Sequence, residues 1–423
     1  MEIKTPTKIR KLQQVLHRNA KENTKWRAWS LYADLLRADV LAHAAEKVIA
    51  NKGAAGIDAM SVDSIRSMDT RTGFLSQLRE ELSTKAYKPS PVLCVRIPKK
   101  DGKTRALGIP TVKDRVVQTA LVLLLEPIFE ADMHPESYGY RKGKKPHQAL
   151  DSICRGLYSG RHAVIDADIS GYFDNIDHLK LMKLVSRRVS DGSILKLIKA
   201  FLTAPVVEDG TGRKNDKGTP QGGVLSPLLA NIYLNDLDHQ VNGDVGEGAQ
   251  MVRYADDLVI LCRHQQVSSL HRRLDRYLRA KGLSLNATKT RKVNFTKEGF
   301  CFLGFQFYWR TSLRRRKRYV HLEPSRVSCK SLRDSIRGEL NHWNTWRSST
   351  VAIARVSSIV RGWGNYFHYG NSSRSFGQMS DWLRGRYRRW LWKKHKKKHN
   401  RFTYFTNAKL HELPLTSNYP SLW

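Results

Sequence analysis

Residues 253–261 read RYADDLVIL, where two adjacent aspartates, Asp256 and Asp257, interrupt an otherwise apolar, strand-like run. Neighbouring carboxylates repel each other, and burying either one without a partner is costly. A β-hairpin that carries both at its tip resolves the conflict if a divalent cation sits there. Mg²⁺ prefers oxygen ligands and binds through carboxylates together with substrate phosphates. One hairpin supplies too few ligands for two ions, so a third carboxylate is expected from a neighbouring strand. The stretch VIDADISGYFDNID, residues 164–177, offers it as Asp166 or Asp168. Such a trio could hold two Mg²⁺ ions roughly 3.5–4 Å apart, the arrangement used for in-line phosphoryl displacement.

The flanking patterns predict an α+β unit around these carboxylates. Residues 1–50 read as helical, two glycines in NKGAAGID (51–58) break the pattern, and a further helical piece runs to about Lys85. Residues 89–110 read as a β-hairpin about Asp101-Gly102, a strong turn signal. Helical patterns cover 112–130 and 146–158, a short strand covers 162–169, and 209–223 reads as a Gly/Thr-rich loop. A helix at 225–240, the aspartate hairpin, a helix at 266–281 and a strand pair around 291–308 follow. Composition changes after about residue 310. RRRKR at 314–318 opens a segment rich in Arg, Lys and Trp with a mainly helical pattern, so a domain boundary is expected between 310 and 330.

Lys and Arg number 74 against 38 Asp and Glu, a formal net charge of +36. A surplus of this size repels itself unless a polyanion is near, which points to nucleic acid. The five cysteines form no CxxC pair, which argues against a zinc site of that kind and fits a reducing compartment. The first residues, MEIKTPTKIRK, lack the apolar core of a secretory signal. The most apolar run, Val116 to Phe129, is too short to span a bilayer and reads as a buried helix, so no membrane partner is expected.

Several stretches resemble reverse transcriptases, and those of group II introns in particular. Tyr254-Ala255-Asp256-Asp257 resembles their YxDD box, and RIPKKDGKTRALGIPTVKDRVVQTAL (96–121) resembles the fingers segment. SYGYRKGKKPHQAL (137–150), DADISGYFDNIDH (166–178) and GTPQGGVLSPLLANIYLNDLD (218–238) resemble further family segments. FLGFQF (302–307) resembles the primer grip, and IVRGWGNYF (359–367) the maturase signature. The resemblance implies a right-hand polymerase, with fingers and palm built on an antiparallel sheet, followed by an α-helical thumb/maturase domain. The corresponding division is 1–85 for an N-terminal helical extension and the start of the fingers, 86–310 for fingers and palm, and 311–423 for thumb and maturase.

The family pattern sets the metal ligand five residues before the aromatic that touches the sugar. Counting back from Phe173 selects Asp168 over Asp166. The resemblance then implies Asp168, Asp256 and Asp257 as catalytic metal ligands, with the Ile169 carbonyl contributing, for two Mg²⁺ ions or Mn²⁺ in their stead. It implies Lys99 and Arg105 as triphosphate-binding cations and Phe173 as the gate that favours deoxynucleotides. Gln221 and Gly222 would position nucleotide and template, and Lys289 would protonate pyrophosphate.

In the C-terminal segment, Arg384, Arg386, Arg388, Arg389, Lys393 and Lys394 interleave with Trp390 and Trp392. Cations neutralise phosphates and aromatics stack on unpaired bases, so these residues are expected to bind RNA. The final stretch shows no HNH-type His/Cys cluster, and target cleavage by this segment is not expected. The implied function is an RNA-directed DNA polymerase that also binds group II intron RNA for splicing and retromobility. Its partners would be RNA template, DNA primer, deoxynucleoside triphosphates and target DNA, in bacterial cytoplasm or an organelle. The competing readings are a domesticated polymerase in defence or repair, and a polymerase-inactive, RNA-binding splicing cofactor.

Overall fold

A computed structural model describes residues 3–98, 102, 104–244, 248–396 and 404–406. The chain forms two compact units, one of residues 1–152 with 165–291 and the other of 153–164 with 292–423. The first unit is α+β. Its most buried element is the helix Val112–Glu130, whose N-cap Thr111 accepts a hydrogen bond from the Asp114 amide. Pro127 lies inside this helix and cannot donate to the Leu123 carbonyl four residues earlier. Gln13 donates to that carbonyl instead, at 2.8 Å. His17 and Lys21 follow at intervals of four and meet the carbonyls of Pro127 and Ala131. One face of the helix Thr7–Glu22 therefore docks onto the backbone that the proline disturbs.

Strands β1 (Val92–Pro98) and β2 (Thr104–Ile109) pair antiparallel, the hairpin expected of residues 89–110. Strand β3 is Ala163–Asp168, also as expected. Residues 209–223 depart from the expected loop. Val206–Glu208 (β4) and Thr211–Arg213 (β5) pair about Asp209 and Gly210, and β4 lies parallel to β1. Both turn residues have positive φ, which suits a two-residue hairpin and is why Asp-Gly is favoured there. The aspartate hairpin is β6 (Gln250–Tyr254) with β7 (Asp257–Cys262), and β7 neighbours β3 in the sheet.

The second unit has a strand where helix was expected. After β8 (Arg291–Asn294), β9 (Phe300–Phe302), β10 (Phe305–Thr311) and β11 (Arg318–Pro324) form an antiparallel sheet. Four of the five RRRKR residues make the β10–β11 turn. Like charges at a solvated turn cost little, and Tyr-Val-His-Leu supplies the alternation that lets β11 pair. The helices Arg326–Glu339, Ser349–Phe367 and Ser373–Lys394 then share a core that includes Ile336, Val356, Met379 and Tyr387.

Candidate active site

Asp168 ends β3, while Asp256 occupies the turn between β6 and β7 and Asp257 opens β7. The turn is tight because Tyr254 pairs directly with Asp257, which leaves only Ala255 and Asp256 to reverse the chain. Ala255 has φ +60°, a left-handed conformation that costs a non-glycine residue about 1–2 kcal/mol.

Two neighbours hold that strained residue. Gly139 lies so close that a Cβ there would fall 2.4 Å from the Ala255 nitrogen. Arg253, fully buried, donates to the Ala255 carbonyl at 3.0 Å and to Asn231 Oδ1 at 2.9 Å, and pairs with buried Asp238 at 2.5 Å. Asn231 in turn donates to the Gly139 carbonyl at 2.8 Å. The sequence reading missed Arg253, Asp238 and Asn231. Their signal was available as charged or polar residues inside apolar strand and helix patterns.

Asp168 is held from the other side. Lys289 Nζ lies 3.0 and 3.1 Å from its two oxygens, and Asn286 Nδ2 donates to Oδ2 at 3.1 Å. Asp166 pairs instead with Arg291 at 3.6 Å and does not line the cavity that Asp168 faces. Burial raises Asp256, with the Asp168 charge adding to it. Asp257 is solvent-exposed where it opens β7, yet desolvation by the surrounding atoms and the charges of Asp256 and Asp168 push it up to about 6. Among the described residues, no group of three His, Cys, Asp or Glu side chains is arranged to hold a metal ion by itself. At Asp168 the ammonium of Lys289 already stands where a cation balances the carboxylate.

A cavity of about 670 Å³ collects most of the residues singled out in the sequence. Asp168, Ile169, Phe173, Asp256 and Lys289 line it together with Arg105, Gln221 and Gly222. Lys99 lies outside the described residues. Phe173 is half-buried and packs edge-on against Tyr140, ring centroids 6.3 Å apart, so it is a wall of the cavity rather than a core residue. Tyr140 is a further lining residue that sequence reading did not single out. Gly222 has φ +112°, and a Cβ there would lie 2.4 Å from the Gly108 carbonyl, so only glycine lets this loop close on β2. Gln118 fixes the loop's far end, accepting from the Val224 and Leu225 amides at 2.9 and 3.3 Å.

The family model described as reverse transcriptase (RNA-dependent DNA polymerase) matches residues 97–307. The group II intron, maturase-specific domain matches 329–407. Protein YkfC of Escherichia coli strain K12 is 33% identical over 352 residues, covering 74% of this chain and 90% of that protein. The chain belongs to the group II intron reverse transcriptase/maturase family. Group II intron-encoded protein LtrA of Lactococcus lactis subsp. cremoris is 38% identical over 228 residues, 53% of this chain and 37% of that protein. Among solved structures, the partial Cas6-RT-Cas1--Cas2 complex matches 59% of this chain and 42% of that chain, at 26% identity and a TM-score of 0.37. By class this family member is an RNA-directed DNA polymerase, and its family uses divalent metal ions. No helix among the described residues is long and apolar enough to cross a membrane.

The expected C-terminal RNA-binding set of this reverse transcriptase/maturase needs correction. On the helix Ser373–Lys394, Leu383, Tyr387, Trp390 and Leu391 follow the helical period and pack inward, with Trp390 only 2% exposed. Trp390 is therefore a core residue and not a surface platform for a base. Arg388 is also buried, and its Nε donates to the Phe405 carbonyl at 2.7 Å. Arg386 donates to the Leu340 carbonyl at 2.8 Å, and Lys394 to the Thr345 and Arg347 carbonyls at 2.9 and 2.7 Å. Arg384 pairs with Asp381, and Trp392 is half-buried. Arg389 and Lys393 remain exposed. Among the described residues of this unit, the exposed tryptophans are instead Trp343, within the short turn His342–Asn344, and Trp346 just after it.

Proposed function

We propose that this chain copies RNA into DNA at the cavity bounded by Asp168 and Asp256, and that it binds group II intron RNA to assist splicing and retromobility. One observation carries the polymerase reading. Residues spread from Arg105 to Lys289 line a single cavity, and they are the types nucleotide transfer needs: carboxylates, cations, an aromatic wall and a glycine loop. The oxygen donors of Asp168 and Asp256, both on the cavity wall, are of the kind a divalent ion takes, which supports the reading. Asp168, Asp256 and Asp257 would hold two Mg²⁺ ions, or Mn²⁺ in their place, with the Ile169 carbonyl as a further oxygen. Bound there, the ions would supply charge stabilisation at the reacting phosphate and a more acidic primer hydroxyl.

The chain's own residues do the rest. Arg105 meets triphosphate oxygens with its fork of donors, and Lys99 would act beside it. Phe173 stands where a ribose 2′-hydroxyl would clash, which favours deoxynucleotides. Gln221 and Gly222 offer backbone and amide contacts to nucleotide and template. Lys289 exchanges its hold on Asp168 for the departing pyrophosphate, to which it gives a proton. The fingers-and-palm region (86–310), the N-terminal extension (1–85) and the thumb/maturase region (311–423) belong to the same proposal, as does a bacterial cytoplasmic or organellar setting.

The deciding experiment pairs two assays on one variant. Asp256→Ala is expected to abolish primer extension on an RNA template with Mg²⁺ while intron RNA binding and splicing persist. Splicing assistance needs the protein to stabilise a folded RNA and makes no use of the carboxylates. Near-normal extension by the folded variant would remove the active-site assignment. Loss of both activities would remove the two-function reading.

A further inference from the structure

We propose that a second cavity, within the unit of residues 153–164 and 292–423, is a binding site for the phosphodiester backbone of a folded RNA. The identity of that RNA as the intron rests on the function proposed above. The cavity has a volume of about 560 Å³ and is lined by Arg310 of β10, by Arg326 and Arg333 of one helix, and by Arg374 of another. Its single carboxylate, Glu323, is already engaged. The Tyr308 hydroxyl donates to Oε1 at 2.9 Å, the Ser375 hydroxyl donates to Oε2 at 3.1 Å, and His321 approaches to 3.7 Å. Burial and the Glu323 charge push Tyr308 up to about 12, so its hydroxyl stays a donor at neutral pH. Among the described residues, none of the four arginines lies within ion-pair distance of a carboxylate.

Three further features suit an anion. Arg326 and Arg374 sit in the first turns of helices 14 and 22 residues long, where the helix dipole favours negative charge, although Ser325 already caps the Ser328 amide of the first. The Arg333 Nε is buried with no hydrogen-bond partner, a donor left for a ligand to satisfy. Its guanidinium lies 5.9 Å from the Trp382 ring, which orients it. All four cations are arginine rather than lysine, and the planar fork matches two phosphate oxygens at once.

Charge and size favour a chain of phosphates over a lone ion. Arg310, Arg326 and Arg374 are exposed while Arg333 is partly buried, so the charge extends from the rim inward. The cavity is far larger than a single phosphate. Arg333 and Arg374 both fall within the span matched by the maturase-specific domain, which favours folded RNA over a template–primer duplex.

The test uses the full chain with Arg310→Gln, Arg326→Gln and Arg374→Gln combined. These residues are exposed and outside the polymerase cavity, so melting temperature and extension on a short RNA-template/DNA-primer duplex should stay unchanged. Intron RNA binding is measured from 50 to 200 mM monovalent salt. Each lost phosphate contact removes roughly 0.7–0.9 from the slope of log affinity against log salt. The affinity lost across that range should therefore shrink by roughly 20- to 40-fold relative to the parent. An unchanged slope overturns the site. An equal loss on the short template–primer duplex overturns folded RNA as the occupant. Competition by inorganic phosphate alone at low millimolar concentration overturns the polyanion reading. If the triple variant melts early, Arg326→Gln with Arg374→Gln gives the same comparison at two contacts. Failure of any of these with extension still abolished in Asp256→Ala leaves the polymerase reading intact.

Discussion

Asp257, though exposed at the start of β7, feels desolvation and the charges of Asp256 and Asp168 together, which is why it rises to about 6 from an ordinary value of about 3.9. Between those values the folded chain keeps a proton that the unfolded chain releases. Stability without metal is therefore greatest below this window and falls as pH rises through it. A divalent ion offsets the same repulsion, so the rise in melting temperature caused by Mg²⁺ should grow from pH 5 to pH 7.5. Thermal melts with and without Mg²⁺ measure this, Asp257→Asn should flatten the growth, and a pH-independent effect in the parent would count against metal at these carboxylates. Arg253 acts one step behind the turn. Replacing it with Gln leaves Asp238 buried and unpaired, at a cost of about 3–5 kcal/mol. It also frees the carbonyl of strained Ala255, so kcat should fall more than the nucleotide KM changes. Denaturant unfolding and steady-state extension separate the two effects, and a variant that loses stability alone would make Arg253 purely structural.

At the scale of elements, the helix Ser373–Lys394 shows why counting basic residues misleads. Arg388 and Arg389 are adjacent, yet one is buried against the Phe405 carbonyl and the other faces solvent. Arg388→Glu should lower the melting temperature sharply, because it buries a carboxylate beside a carbonyl. Arg389→Glu should leave melting unchanged and weaken RNA binding through repulsion of phosphate. Melting curves and RNA titrations on the two variants check this, and equal destabilisation by both would contradict the helix face described. The aspartate hairpin follows the same logic. The hairpin itself was legible from RYADDLVIL, but its turn is Ala255-Asp256 with Asp257 already on β7, and its support by Gly139 and Asn231 comes from distant segments.

For the whole molecule, the net charge of +36 makes association with a polyanion the dominant long-range force. With about six phosphate contacts, affinity for RNA should fall ~10³-fold between 50 and 200 mM monovalent salt. Filter binding or anisotropy across that range measures the slope, and a flat response would mean the surplus charge serves another end. The two compact units carry different cationic sites, one with Arg105 and Lys289 beside carboxylates, the other with four arginines around an engaged glutamate. The first cavity thus sets cations among carboxylates, whereas the second gathers arginines around a single engaged carboxylate.

The sequence by itself determined the aspartate hairpin, the β1–β2 hairpin, the long buried helix and the basic character of the chain. Each depends on local periodicity, turn chemistry or summed charge, which neighbours along the chain report. It also contained Asp209-Gly210, a hairpin signal passed over because the strands on either side are only three residues long. Tertiary structure alone decided which cations are available. Trp390 and Arg388 look exposed in a run of arginines and tryptophans, but the helix turns Trp390 into a core that residues 332–356 help to build and buries Arg388 against the Phe405 carbonyl. The pairing of Asp168 with Lys289, the hold of Arg253 on Ala255 and the four-arginine cavity join residues far apart in sequence. Such contacts depend on how whole elements pack, because a side chain's direction is set by its helix or strand and its partner by the neighbouring element.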